Sequence, residues 1–196
     1  MAVRFSPRAH MGKIKYKIGV MGSAGRGIKL PRELLEKSRE VGREIARNGC
    51  ILITGACMGT PHEAAVGAGE EGGLTIGFSP AATLKEHIKP PISYPPPPKN
   101  SIYIYTGIGK EGRILLSIRN CDGIIIIGGG LGTLIEFSIA YYQGKVIGIL
   151  EGTNGIAEKI PEIVKTIKKE TEAMIIFDSS PKNLVRRIIK LLKKRK

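Results

Sequence analysis

Four consecutive isoleucines, Ile124, Ile125, Ile126 and Ile127, follow Asp122-Gly123 and run straight into Gly128-Gly129-Gly130-Leu131-Gly132-Thr133. A strand that is apolar at every position has no face left for water, so it belongs in a sheet covered on both sides. The glycines behind it exceed what a strand-to-helix turn needs, and they let backbone approach a ligand with no Cβ in the way. From Thr133 the pattern turns helical, with Leu134, Ile135, Phe137 and Ile139 apolar. A helix start offers unpaired N–H groups and the positive end of the helix dipole, which together hold a phosphate. Strand, glycine turn and helix therefore predict an anion cradle, with Glu136 on the first helical turn at its mouth. The same letters, Thr133-x-x-Glu136, also fit a capping box, in which Glu136 would serve only the helix end.

The strand-then-helix rhythm recurs along the chain. Strands are expected at 17–21, 50–53, 74–78, 101–105, 124–127, 145–150 and 174–177. Pro31 suits the first position of a helix whose apolar face is Leu34, Leu35, Val41 and Ile45, and Gly49 suits the position just past its end. Thr60-Pro61-His62-Glu63 reads as a second capping box opening a helix to about residue 71. Helices are also expected at 112–120 and from Pro181 to about residue 194, the latter with Leu184, Ile188, Leu191 and Leu192 on one side. Residues 79–100 break the pattern: seven of the chain's 12 prolines fall there, so a long irregular loop is expected, acting as a lid, as a partner surface or simply as surface. Repeated βαβ units predict an α/β fold, a Rossmann-like doubly wound parallel sheet with helices on both faces, in a single domain over residues 17–196. In such sheets ligands bind at the carboxyl ends of strands. Four glycine clusters fall at that end: 22–27, 55–59, 107–112 and 128–132.

Composition bounds the function classes. At 196 residues with 42% hydrophobic content the chain can bury one core. No apolar run approaches the roughly 18 residues of a membrane span, and no apolar leader of the secretory kind opens the chain. Cys50, Cys57 and Cys121 are odd in number and lack C-x-x-C spacing, so reduced thiols and a cytoplasmic location are expected. Three histidines with no paired spacing give no metal site. The net charge of +14 sits at the ends: residues 1–17 carry five basic residues and residues 182–196 carry eight, neither with an acid, leaving 18 basic against 17 acidic residues between. Residues 1–16 are expected to be a basic flexible leader, with Met11 an alternative start, and the basic ends to attract polyanions weakly and in a salt-dependent way. A single Gln among abundant Lys, Glu and Ile is a thermophile's composition.

Two labels fail on the residues. Gly107-x-Gly109-x-x-Gly112 has dinucleotide-fingerprint spacing, but it lies in the fourth unit and the next strand ends in glycine, not in the required acid. No Gly-x-x-x-x-Gly-Lys-Ser/Thr loop occurs.

GGGLGTLIE (128–136) resembles the PGGxGTxxE signature of the Lonely Guy cytokinin-activating phosphoribohydrolases, a superfamily long misannotated as lysine decarboxylases. Gly128 replaces the proline, and that form is typical of the related molybdenum-cofactor-carrier-like branch. Gly22-Ser23 is similar to the family's first glycine loop, TGACMG (54–59) to its second, EEGGLTIGFSP (70–80) to the strand that follows, and Arg113 to its arginine; the likeness covers roughly residues 17–150.

The resemblance implies a homo-oligomer, usually a dimer, that binds a small phosphorylated ligand, AMP-like or the molybdenum cofactor, with no other cofactor required. It implies phosphate and nucleotide contacts at Gly22, Ser23, Gly55, Met58, Gly59, Gly128, Gly129, Gly130, Gly132 and Thr133. For the hydrolases it implies cleavage of a nucleoside 5′-monophosphate to free base and ribose 5-phosphate. Glu136 would then bind the ribose and stabilise the developing positive charge, and Arg113 would orient substrate. Ile114 stands where those enzymes have Lys, which removes a charge and favours binding over turnover. Three readings follow: a nucleotide-binding protein with slow hydrolysis, a non-catalytic molybdenum cofactor carrier whose lid at 79–100 closes over a pterin, and a nucleic-acid-associated protein driven by its basic ends. Nothing in the lysine contexts suits a pyridoxal Schiff base.

Overall fold

The computed structural model describes residues 16–24, 27 and 29–195. Residues 1–15 of the expected leader, Gly25 and Arg26 of the first glycine cluster, and Lys196 lie outside the described residues.

The elements run β1 (Lys17–Gly22), α1 (Arg32–Arg47), β2 (Ile51–Thr54), α2 (Thr60–Glu70), β3 (Thr75–Ser79), α3 (Leu84–Ile88), β4 (Ser101–Tyr105), α4 (Gly109–Arg119), β5 (Gly123–Ile127), α5 (Leu131–Tyr142), β6 (Val146–Leu150), α6 (Ile156–Thr166), β7 (Met174–Asp178) and α7 (Pro181–Lys194). All seven expected strands form, and they join one sheet in the order β4-β3-β2-β1-β5-β6-β7. Every neighbouring pair is parallel. The order reverses direction between β1 and β5, whose last residues Gly22 and Ile127 are register partners. A crevice at the carboxyl ends of these two strands is where this topology places a ligand.

The isoleucine run explains the layering. Alternate side chains point to opposite faces, so Ile125 and Ile127 pack with α1, α2 and α7, while Ile124 and Ile126 pack with α4, α5 and α6. All four are fully buried, each worth about 2 kcal/mol of transfer free energy. On the first face α1 and α2 cross closely: a Cβ at Gly42 would overlap the Ala64 carbonyl, and one at Gly67 the Arg39 carbonyl. Arg43 and Arg47 then reach Glu70 and Glu71 at 2.8 and 2.7 Å, tying the two helices at their solvent edge. Leu184, Ile188 and Leu192 of α7 are buried in the same layer. Removing residues 182–196 to strip charge would therefore remove core, not a solvated tail. Among the described residues no helix is long and apolar enough to cross a membrane.

Several local expectations change. Pro31 has extended backbone (ψ 139) and caps α1 rather than occupying its first turn. Gly49 does sit just past the end of α1 with φ +69. α5 begins at Leu131, so Thr133 lies inside the helix, and neither Thr133 nor Thr60 caps its helix with a side-chain hydrogen bond; Gly130 and Gly59 hold the cap positions. The cap-only reading of Glu136 falls with this. A cap that does form lies inside the expected irregular loop: Thr83 Oγ1 accepts from Glu86 N–H at 3.2 Å, and the Glu86 carboxylate accepts from Ala82 N–H at 2.9 Å. It starts α3, a single turn that proline content masked. α6 is a further helix: it follows the glycine-flanked turn Gly152-Thr153-Asn154-Gly155, with Gly155 and neither Thr153 nor Asn154 at its cap position.

Candidate functional site

Three loops meet at the carboxyl ends of β1, β2 and β5, and Ser23 binds them together. Its N–H donates to the Ile127 carbonyl at 3.2 Å, and its carbonyl accepts from Thr60 N–H at 2.9 Å. Its hydroxyl accepts from Gly129 N–H at 2.8 Å. Gly22 permits this closeness, since a Cβ there would overlap the Ile127 carbonyl and the Thr60 hydroxyl. Gly59 (φ +79) is pressed against the Ser23 carbonyl in the same way. Gly128 N–H donates to Thr153 Oγ1 at 2.9 Å, and the carbonyls of Gly128 and Gly129 accept from Ala157 and Ile156 N–H at 3.1 and 2.9 Å, at the start of α6. The amides of Gly128 and Gly129 are thus already engaged inside the protein.

Beside this knot lies a cavity of about 270 Å³ lined by Met21, Gly22, Ala24, Gly55, Cys57, Pro61, Tyr94, Arg113, Ile114, Gly130, Gly132, Thr133 and Glu136. Gly130 and Gly132 face open space, with nothing near where a Cβ would stand. They bracket the first turn of α5, whose leading N–H groups have no partner within the helix. Of the residues expected at the site, Gly22, Gly55, Gly130, Gly132, Thr133, Arg113 and Glu136 line the cavity. Ser23, Met58, Gly59, Gly128 and Gly129 do not; the hydrogen bonds above make Ser23, Gly128 and Gly129 part of the scaffold behind it. The 107–112 glycines hold the β4–α4 turn, with Gly107 and Gly109 N–H bonded to the Ala81 and Pro80 carbonyls.

Arg113 on α4 and Glu136 on α5 point at each other across the cavity wall, Nη1 to Oε1 3.4 Å. Both are buried, at 7% and 6% exposure. The guanidinium lies on the bare backbone of Gly55, where a Cβ would overlap it. Its Nε is buried without a hydrogen-bond partner. Burial raises the Glu136 carboxyl from its ordinary 4.5 to about 7, and the charge and hydrogen bond of Arg113 oppose that rise without cancelling it. Near neutral pH the site therefore holds one fixed positive charge and a carboxyl that can take or give a proton, a combination suited to an anionic ligand. Burial also raises the Cys57 thiol, keeping it neutral. Ile114 is buried against this wall, 5% exposed.

Sequence reasoning missed Tyr94. It reaches the cavity from the proline-rich segment, which is therefore in contact with the site. A lone aromatic among prolines offered no signal for this. Among the described residues no cluster of three or more His, Cys, Asp or Glu could hold a metal ion.

The fold is similar to several solved structures. The protein TM1055 is 27% identical in an X-ray structure that superposes with a TM-score of 0.74 over 90% of this chain and 99% of that one. A molybdenum cofactor binding protein from Rippkaea orientalis is 25% identical, with a TM-score of 0.70 over 92% of this chain and 99% of that one. The molybdenum cofactor carrier protein of Chlamydomonas reinhardtii is 27% identical, with a TM-score of 0.68 over 92% and 99%. The family model described as the SLOG cluster4 family matches residues 15–185, and the chain belongs to that family, within the Lonely Guy and molybdenum-cofactor-carrier-like superfamily.

Proposed function

We propose that the protein binds a phosphorylated small molecule and holds it rather than turning it over rapidly. The carrying observation is the buried Arg113–Glu136 pair beside the open glycines at the start of α5. Phosphate oxygens would accept from the leading N–H groups of α5 and from Arg113, whose Nε has no partner of its own. The favoured ligand is the molybdenum cofactor, carried as cargo. Of two solved relatives, one at 25% identity is named a molybdenum cofactor binding protein and one at 27% a molybdenum cofactor carrier protein. Ile114, apolar and buried where the hydrolases place Lys, supports retention over reaction.

A second reading, slow phosphoribohydrolase activity, is favoured by one observation: Glu136 near pKa 7 next to Arg113. In that role the ionised Glu136 would stabilise the oxocarbenium-like transition state or position water, while Arg113 orients the ribose phosphate. Base release from a panel of nucleoside 5′-monophosphates, followed by chromatography for wild type and Glu136→Ala, separates the two. The expected result is no release, with a ligand-dependent rise in Tm. Release by wild type that disappears in the variant would establish the hydrolase. Gly130→Asp tests the cradle itself. Its φ is negative (−131) and a Cβ there meets nothing within 4 Å, so the expected outcome is a folded variant that no longer binds phosphate, with folding checked by circular dichroism.

We also propose a homo-oligomer assembled through the outer faces of α4 and α5. The one charged residue of α5, Glu136, is buried. Leu131, Ile135 and Tyr142 stand 76%, 40% and 70% exposed, and Tyr142 shares a surface groove with Leu115 of α4. Large apolar side chains this exposed on a chain with 24% charged residues mark an association surface, with Arg119 in the groove between the two helices and Lys169 Nζ 4.3 Å from the Tyr142 ring centre at its edge.

A further inference from the structure

The proline-rich segment is fastened in place by a side chain that the site has not yet used. His87 on α3 is completely buried. Its Nε2 lies 2.9 Å from the Pro95 carbonyl, and its Nδ1 lies 2.9 Å from Ser79 Oγ. A carbonyl can only accept, so Nε2 carries the proton and Nδ1 accepts from the Ser79 hydroxyl. Burial lowers the basicity of the ring and keeps that neutral form. The His87 carbonyl in turn accepts from Tyr94 N–H at 2.9 Å. The ring meets Tyr94, Tyr103 and Tyr105 edge-on, with centroids 5.4 to 5.9 Å apart. One residue thus anchors both Tyr94 and Pro95 to the end of β3.

The far end of the segment is held too. Lys99 passes so close to α2 that a Cβ at Gly69 would come within 2.6 Å of its carbonyl. From the first anchor onward, the four consecutive prolines Pro95 to Pro98, with fixed φ, span a groove of about 540 Å³ above His62, Val66 and Glu70. The segment is a stiff strap standing off α2 and fixed at its ends.

The cavity lining divides by chemistry. Glycines, Arg113 and Glu136 make the anionic-ligand side, whereas Met21, Pro61, Tyr94 and Ile114 present no charge. We infer that Tyr94 closes a subsite for a flat heterocyclic ring attached to the phosphate-bearing part of the ligand, and that His87 is the positioning residue that sets the strap, and so Tyr94, at that distance. This rests on the phosphorylated-ligand reading, whose candidate ligands all carry a planar ring, and adds which residues of this chain receive that ring and set its distance from the phosphate. Aromatic and apolar walls take a ring face at low desolvation cost and reject a second charged group.

The test compares ring-bearing probes, AMP and GMP, with ribose 5-phosphate, by calorimetry on the full chain. Wild type is expected to prefer the nucleotides. Tyr94→Ala and His87→Ala should each reduce the ratio of nucleotide to ribose 5-phosphate affinity at least tenfold. His87→Gln, whose amide can still donate toward Pro95, should recover part of that ratio, which a merely structural role would not predict. An unchanged ratio in Tyr94→Ala, with ribose 5-phosphate still bound, overturns the ring subsite and leaves the phosphate reading standing. Failure of wild type to bind any of the three probes overturns both. If His87→Ala does not fold, as judged by circular dichroism, Tyr94→Ala and His87→Gln carry the test, since neither leaves a buried partner at Ser79 and Pro95 wholly unmet.

Discussion

The guanidinium of Arg113 stands 3.4 Å from Glu136 Oε1, with both side chains closed off from water and the Gly55 backbone beneath the guanidinium. α4 and α5 flank β5 in the chain, so the second turns of the two helices bring the two groups together at the switch in strand order. A buried carboxyl with one partner at that range keeps a raised proton affinity, because the ion pair offsets only part of its desolvation.

Stability should therefore depend on pH through Glu136. The folded-state value of about 7 lies above the ordinary 4.5, so the folded state binds the proton more tightly than the unfolded chain does. The resulting stabilisation is complete below about pH 4.5 and is lost as pH rises through 7, a swing of up to about 3 kcal/mol. Glu136→Gln removes the titration. Urea midpoints at pH 5 and pH 8 should show wild type losing stability relative to the variant at the higher pH, and parallel behaviour would refute the assignment.

Gly55→Ala places a methyl group where the Arg113 guanidinium lies. The expected result is a displaced Arg113, phosphorylated-ligand binding weakened at least tenfold, and a loss of about 1–3 kcal/mol from overpacking. Titration of AMP into the variant reads the first effect and denaturant unfolding the second. Unaltered affinity would mean that Arg113 does not contact the ligand.

The basic face of α7 can be tested without damaging the core. Lys190, Lys193 and Lys194 are exposed on α7, while Leu184, Ile188 and Leu192 are buried. Changing the three lysines to Gln and deleting residues 1–15 should weaken heparin or duplex DNA binding and flatten its salt dependence. AMP affinity should stay the same. A parallel loss of AMP binding would show that the charge and the cavity work together.

Ile135→Glu with Tyr142→Glu puts charge on the outer face of α5. Light scattering coupled to size exclusion should report a dimer or larger assembly for wild type and a monomer for the double variant. A monomeric wild type would remove the proposed interface.

Legibility varied with how local each feature is. The seven strands could be read because runs such as Ile124 to Ile127 record burial in their own letters. At Thr60 and Thr133 the Ser/Thr-x-x-Glu pattern does not say which residue leaves the strand, and glycine holds the cap both times. At Thr83 the same pattern does cap a helix. The glycine loops were correctly gathered at one edge, but their division of labour was not visible. Ser23, Gly128 and Gly129 spend their polar groups on one another and on neighbouring loops, leaving Gly130 and Gly132 open to the cavity.

By itself the sequence determined a parallel sheet covered on both faces, with glycine loops at the strand ends and Arg113 and Glu136 as candidates near them. Those properties follow from side-chain period and backbone freedom, which act within a few residues. Only the tertiary structure decided that β1 lies between β2 and β5, that Gly55 carries the Arg113 guanidinium, and that His87 holds Tyr94 over the cavity. Strand order, the proton affinity of a buried carboxyl and the path of a proline strap depend on which distant groups exclude water from one another, and that is settled only when the layers pack.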